Sequence, residues 1–227
     1  MTKPRSSLFL LWLLAFANCV AVMVVFVMWL DRPIADRVNA MMRQSPLFDW
    51  TARILGSLSV VVAIVALILV WWGIQHLRRR PPAAWAVLPL CCSWSVAGAL
   101  AATMVLKFLI GRSQVYPPWI ERREYGFFPL HGVHGYGAFP SATMAVAAAI
   151  LSVIWIQVPR RRALCGMLFA LVAVAIILTN GHWVSDVIGG GFLGAFSGWL
   201  TVRRLSPAGP MIGPPGLTRP GSDSPGP

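Results

Sequence analysis

The sequence predicts an all-α, polytopic membrane protein with six transmembrane helices. Of its 227 residues, 57% are hydrophobic and only 11% are charged, whereas soluble domains have about 25% charged residues. Several apolar runs reach the roughly 20 residues that a helix needs to cross the hydrocarbon core. The net charge of +12 lies in short basic clusters between these runs, which is typical of topology signals. A nucleic-acid-binding surface is therefore not predicted.

Six apolar runs are predicted to span the membrane, and a short interfacial helix is predicted after the first. The first run, Leu8–Leu30, is longer than the 7–15 apolar residues of a signal peptide, so we expect it to be retained. In the polar segment that follows, Ile34, Val38 and Met41 recur at helical spacing, which favours a helix in the membrane interface. The other predicted spans cover about residues 54–74, 83–110, 140–158, 163–179 and 186–202.

A long loop and a polar tail complete the predicted organisation. Residues 111–139 form a loop rich in aromatic side chains, and loops of this length are usually functional or disordered. The aromatic content argues against disorder. Residues 1–205 are therefore predicted to be one membrane domain, and the Pro- and Gly-rich residues 206–227 a disordered tail. The four cysteines lie in apolar runs without metal-ligand spacing, so no metal site is expected.

The basic clusters predict the orientation of the six spans. They occur at both termini and in two connections: Lys3 and Arg5, Arg78–Arg80, Arg160–Arg162, and Arg203 and Arg204. With six spans these clusters fall on one side, which the positive-inside rule makes cytoplasmic. Six of the seven acidic residues then fall on the opposite side. We expect a protein of the cytoplasmic (inner) membrane with both termini inside and an external, or periplasmic, loop active site.

Three stretches predicted at the external face contain candidate catalytic or binding residues. His182 and Asp186 are four residues apart, so in a helical backbone the carboxylate can orient the imidazole as a base or nucleophile. Lys107 and Arg112 supply the point charge and the bidentate fork that a phosphate needs. Ser141, at the start of the fourth span, adds a hydroxyl beside free helix amides. Each feature also has a structural interpretation, as a helix cap or as a snorkelling basic residue.

The order of these stretches resembles the type 2 phosphatidic acid phosphatases, the membrane branch of the superfamily that also contains the vanadium haloperoxidases. The first motif of that family has a lysine followed by Gly-Arg-x-Arg-Pro. Lys107, Gly111 and Arg112 match it, whereas Gln114 and Val115 stand where Arg-Pro is expected.

The other two motifs match in part. The family's Pro-Ser-Gly-His is here Pro140-Ser141-Ala142-Thr143, so Thr143 replaces the histidine that protonates the leaving group in the family. His182 and Asp186 match the third motif, but its upstream Ser-Arg pair is replaced by Ala175 and Ile176.

The resemblance implies a metal-independent membrane phosphatase without a cofactor. Its substrate would be a phosphorylated lipid in the bilayer: a polyprenyl diphosphate, a phosphatidate-type monophosphate or a glycolipid phosphate. Lys107, Arg112 and Ser141, with Thr143 beside them, would hold the phosphate. His182 would attack phosphorus to form a phosphohistidine, and Asp186 would orient the imidazole.

A threonine hydroxyl is not acidic enough to replace the missing proton donor. His131 or His134, in the long loop, could supply the proton instead, although the sequence favours loop histidines in solvent at both positions.

Two other functions fit the same residues. A catalytically impaired relative would bind anionic lipid or regulate another membrane protein, because several motif residues are replaced. A transporter would use the external basic pocket for an ion, but the predicted spans lack acidic residues of the kind that relay protons or ions.

Overall fold

The computed structural model describes residues 5–76, 86–131 and 135–206, and the regular structure of these ranges is helical. The main helices are α1 (Arg5–Val25), α2 (Asp31–Gln44), α3 (Pro46–His76), α4 (Val87–Ile110), α5 (Ala142–Gln157), α6 (Arg162–Leu178) and α7 (Val184–Leu205). A π-helical segment, Phe26–Leu30, joins α1 to α2. His134 and all but the first residue of the predicted tail lie outside the described residues.

Four helical segments of the described ranges are long and apolar enough to cross a membrane: Leu10–Gln44, Ser57–Gln75, Val87–Ile110 and Pro159–Leu178. Helix α5 is also apolar but has only 16 residues. The predicted all-helical, multi-pass membrane architecture is therefore confirmed. The count of six spans stays a prediction.

The helix boundaries differ from the predicted ones in three places. Helix α2 continues from α1 through the π-helical segment, so it is not the separate short helix that the sequence predicted. Helix α3 begins at Pro46, eight residues before the expected start at about residue 54, since proline is well suited to a first helical position. Helix α5 begins at Ala142 because the Ser141 hydroxyl caps it, accepting a hydrogen bond from the Met144 amide at 3.4 Å. Pro140 precedes this cap and does not lie in the first turn.

Helices α5 and α7 pack closely and run parallel. Three glycines of α7, four residues apart, face backbone carbonyls of α5, and a β-carbon at any of them would overlap its partner. The facing pairs are Gly190 with Ser141, Gly194 with Ala145, and Gly198 with Ala149. Small residues at this spacing allow two helix backbones to approach closely in a membrane. As a result both helices begin at the same end of the molecule, where the Ser141 amide donates to the Asp186 carbonyl at 3.0 Å.

Candidate active site

The long loop after α4 folds back over the end of that helix. Gly111 ends α4 in a left-handed conformation, with φ of +56°, and a side chain there would overlap the Phe128 carbonyl. The Phe128 amide donates to the Gly111 carbonyl at 2.7 Å, and Arg112 pairs with Phe127 in an isolated β-bridge. The Ala138 amide donates to the Arg112 carbonyl at 3.0 Å. The described parts of the loop, residues 111–131 and 135–139, are thus folded around Arg112.

The Arg112 guanidinium is buried, with 1% of the residue exposed, and is surrounded by acceptors. Its Nη1 donates to Ser185 Oγ at 2.5 Å and to Asp186 Oδ1 at 2.6 Å. Its Nη2 donates to Asp31 Oδ2 at 2.6 Å and to Tyr125 Oη at 3.1 Å. Burial alone would favour a neutral guanidinium, but the Asp186 and Asp31 carboxylates outweigh it, and the pKa of Arg112 is raised. Both terminal nitrogens of this predicted phosphate ligand are therefore already bound to protein oxygens.

Asp186 is fully buried and both of its carboxylate oxygens are engaged. Oδ1 accepts from Arg112, and Oδ2 accepts from the Trp183 amide at 3.1 Å. His182 Nδ1 lies 3.6 Å from Oδ2, which is longer than a hydrogen bond, and this buried nitrogen has no hydrogen-bond partner. Catalytic hydrogen bonds are often long in structures without substrate. Nδ1 is therefore the imidazole nitrogen that faces the carboxylate.

Lys107 and Ser141 also lie next to Asp186, Lys107 near its carboxylate and Ser141 against its backbone carbonyl. Lys107 is 7% exposed; its Nζ donates to the Gly137 carbonyl and interacts electrostatically with Asp186. Ser141 is fully buried, and its amide contacts the Asp186 carbonyl. The amides of the first turn of α5, beside the half-buried Thr143, have no carbonyl partner within their own helix.

The structure therefore brings together five of the residues predicted from the sequence: Lys107, Arg112, Ser141, His182 and Asp186. His131 is exposed, and its described ring contacts are with Phe128 and Tyr136. None of these contacts links His131 to His182.

Sequence reasoning missed four residues of this network: Asp31, Tyr125, Trp183 and Ser185. Asp31 is 1% exposed and follows directly on the apolar run of the first helix. An acidic residue at such a position requires a partner, and this signal could have identified it. Tyr125, Trp183 and Ser185 gave no comparable signal, because hydroxyl and aromatic side chains are common in loops.

An apolar groove leads away from this network along α1 and α7. Its main cavity has a volume of about 640 Å³ and extends to Arg203 at the far end of α7. A second cavity of about 290 Å³ is bounded by Arg112 and Ser185. The two cavities share four lining residues: Val20, Met23, Ile110 and Phe139. The groove and the buried polar network are thus adjacent.

Comparison with known proteins identifies the family. The sequence profile of the PAP2 superfamily matches residues 86–209, more than half of the chain. The chain belongs to the PAP2 superfamily. Its fold is similar to the crystal structure of the first transmembrane PAP2 type phosphatidylglycerolphosphate phosphatase from Bacillus subtilis, with a TM-score of 0.55 and 17% sequence identity over 83% of this chain and 94% of that chain. A search of curated proteins found no significant match.

Membership of the PAP2 superfamily confirms the resemblance inferred from the motifs. The matched region contains all the candidate site residues proposed from the sequence. It begins at residue 86, so Asp31 lies outside it, although Asp31 contacts Arg112 directly.

Proposed function

We propose that this PAP2 protein is a membrane phosphatase that hydrolyses a phosphorylated lipid. The observation that supports this most strongly is the position of His182: its Nδ1 faces a carboxylate whose two oxygens are held by Arg112 and by the Trp183 amide. A fixed carboxylate stabilises the positive charge that the imidazole acquires when its other nitrogen forms a bond.

The reaction proceeds in two steps. His182 Nε2 attacks phosphorus, the bond from phosphorus to the lipid oxygen breaks, and a phosphohistidine forms. The leaving oxygen of a monophosphate takes up a proton, from His131 or His134 or from water. Water then attacks the phosphohistidine and releases inorganic phosphate, which restores the neutral imidazole. The products are phosphate and a lipid alcohol, or a lipid monophosphate when the substrate is a diphosphate.

Lys107 and the start of α5 are the groups best placed to hold the phosphate. The Lys107 ammonium group supplies a positive charge beside Asp186. The Ala142 and Thr143 amides lie at the N-terminus of α5 ahead of the Met144 amide, which Ser141 caps. We assign Arg112 a different role from the predicted one. It fixes Asp186, because its terminal nitrogens are bound to Asp186, Asp31, Ser185 and Tyr125.

The groove supports a lipid substrate. An apolar chain seated between α1 and α7 would end at Arg112 and Ser185, where the two cavities meet the polar network. Because α5 and α7 both begin at the site, Arg160–Arg162 and Arg203 lie at the opposite end of these helices. The positive-inside rule makes that end cytoplasmic, so we place the site at the external face of the membrane.

The test is phosphate release by the purified protein in detergent, from a panel of lipid monophosphates and diphosphates without added metal. We expect activity that His182→Ala abolishes and that His76→Ala, a matched change at the far end of α3, leaves intact. Absence of phosphate release from every lipid of the panel, or equal activity of the two variants, would contradict the proposal.

One observation favours a second candidate, a lipid-binding or regulatory protein with little turnover. Arg112 is neutralised by two carboxylates and Thr143 stands in place of a proton donor, so both phosphate binding and leaving-group protonation are weakened relative to the family motif. Binding of a lipid phosphate to the wild-type protein, detected by native mass spectrometry, together with no phosphate release would support this candidate.

A further inference from the structure

The polar network extends to the N-terminal helix through Asp31. Its Oδ2 accepts hydrogen bonds from Arg112 Nη2 at 2.6 Å and from Ser185 Oγ at 2.5 Å, and its Oδ1 accepts from the Ser185 amide at 3.1 Å. Asp31 therefore caps the start of α7 and neutralises Arg112 at the same time. Its side chain has no exposed surface, so a partner-free carboxylate at this position would be strongly unfavourable.

A second link joins the N-terminal helix to Arg112. The Tyr125 hydroxyl accepts from Arg112 Nη2 at 3.1 Å and donates to the Val27 carbonyl at 2.7 Å. Val27 lies in the π-helical segment that directly precedes Asp31. Burial raises the pKa of Tyr125, so the phenol keeps the proton that it donates to Val27. Short π-helical segments inside α-helices occur frequently at functional sites.

We propose that Asp31 is a positioning residue of the active site, an inference that rests on the proposed function. Asp31 acts through Arg112. By binding Arg112 Nη2 and the start of α7, Asp31 directs Nη1 of Arg112 to Asp186 Oδ1. This contact holds the second oxygen of Asp186, Oδ2, toward His182. Without the negative charge of Asp31, Arg112 is free to turn further toward Asp186 and to draw that carboxylate away from the imidazole. The N-terminal helix, outside the region that defines the family, thus completes the site.

The first test compares Asp31→Asn with Asp36→Asn. Asp36 lies on the same helix and pairs with Arg123 at 2.6 Å, but this ion pair is at the surface, with 61% of the arginine side chain exposed. We expect Asp31→Asn to lower kcat for phosphate release by between about tenfold and 10²-fold, the range for a slightly misplaced reacting group, with KM changed less than about twofold. Asp36→Asn should keep kcat within about twofold of wild type.

Wild-type kcat in a folded Asp31→Asn protein would overturn the proposal, as would a rise in KM without a change in kcat. If the Asp31→Asn protein is not monodisperse in detergent, Tyr125→Phe tests the same linkage, because it removes the link to Val27 and leaves every charge in place. A kcat decrease in Tyr125→Phe supports the proposal, and wild-type kcat overturns it.

A second readout does not depend on turnover. Diethyl pyrocarbonate acylates accessible imidazole nitrogens, and mass spectrometry of the peptide containing His182 gives the rate, with the exposed His131 as internal reference. We expect slower acylation of His182 in Asp31→Asn than in wild type or Asp36→Asn, because the imidazole loses the carboxylate that stabilises its positive charge during attack. If this rate falls in Asp31→Asn while the wild-type protein releases no phosphate, the proposed function fails and the positioning role stands. Equal rates in all three proteins would overturn the positioning role whatever the activity.

Discussion

At the scale of single residues, Arg112 joins two carboxylates that are far apart in the sequence, Asp31 and Asp186. The positive charges of Arg112 and Lys107 balance the negative charges of Asp31 and Asp186. Arg112 therefore contributes no surplus positive charge to a bound phosphate. Among the described residues, the groups that we propose to bind the anion are then the Lys107 ammonium and the Ala142 and Thr143 amides of α5. Alanine substitutions at Lys107 and Arg112 should therefore have different effects.

We expect Lys107→Ala to lower kcat/KM by the loss of one charge-assisted contact, about 1.5–3 kcal/mol, with little change in stability. Arg112→Ala should instead destabilise the protein by about 3–5 kcal/mol, because it leaves two buried carboxylates unpaired. Thermal unfolding in detergent and phosphate release separate the two effects, and Arg122→Ala, at an exposed ion pair, is the control. Equal unfolding temperatures for Arg112→Ala and Arg122→Ala would contradict the structural role of Arg112.

We expect Thr143 to determine which lipid phosphates the proposed phosphatase hydrolyses. Attack on a monophosphate expels an alkoxide, which is a poor leaving group unless a general acid protonates it. Such protonation typically raises the reaction rate about 10²–10⁴-fold. Attack on the terminal phosphorus of a diphosphate expels a phosphate monoester, whose second pKa of about 6 allows it to leave without a proton. We predict that diphosphates are the better substrates.

Thr143→His should then raise monophosphate turnover more than diphosphate turnover, whereas Thr143→Asn, which adds no proton donor, should not. Initial rates on a matched pair of lipids measure this. The prediction is wrong if wild-type protein hydrolyses monophosphates as fast as diphosphates and both His131→Ala and His134→Ala retain that rate.

At the scale of elements, the contact between α5 and α7 sets the position of the site. The three glycines of α7 let its backbone approach α5, which brings Ser141 next to Asp186. This contact is formed by small residues. If both helices span the bilayer as predicted, it depends on close packing and not on a hydrophobic driving force between the helices.

Gly194→Ala tests this packing. Its added β-carbon would lie 2.8 Å from the Ala148 β-carbon, and overpacking of this kind costs about 1–3 kcal/mol. Gly166→Ala is the matched control, because this substitution gains the same helix propensity. Its added β-carbon would lie 3.8 Å from the Trp155 ring, which is an ordinary van der Waals distance. We expect a lower unfolding temperature and lower activity for Gly194→Ala alone. Equal unfolding temperatures for the two variants would show that the close approach is not required.

At the scale of the whole molecule, much of the architecture was predictable because apolar runs and basic clusters report directly on a membrane environment. His182 and Asp186 lie close together, but not on a shared helix face as the spacing predicted, because His182 precedes α7. The run that became α4 could be placed from its apolar character alone. Asp31 could not, because its partner Arg112 is 81 residues away and no local pattern encodes that distance. Arg112 was predicted to bind substrate for the same reason: its competing carboxylate partner was invisible in the sequence.

The predicted topology places the loop after α4 outside the cell and the turn after α5 inside. A cysteine introduced at the exposed Glu121 should react with a membrane-impermeant maleimide on intact cells, whereas one at the exposed Arg161 should react only after permeabilisation. The protein without introduced cysteines is the control, because Cys91, Cys92 and Cys165 are buried but Cys19 is partly exposed. Labelling of both positions from the same side would contradict the six-span arrangement.

The most direct test of the proposed function is detection of phosphate on His182 during turnover. The protein is mixed with a lipid diphosphate, quenched within milliseconds in alkaline denaturant and digested for mass spectrometry, with Asp36→Asn as a variant whose site is unchanged. We predict phosphorylated His182 in the wild type and in Asp36→Asn, and none in His182→Ala. Phosphate release by the wild type without phosphorylation of His182, or with phosphate on another residue, would contradict the proposed mechanism.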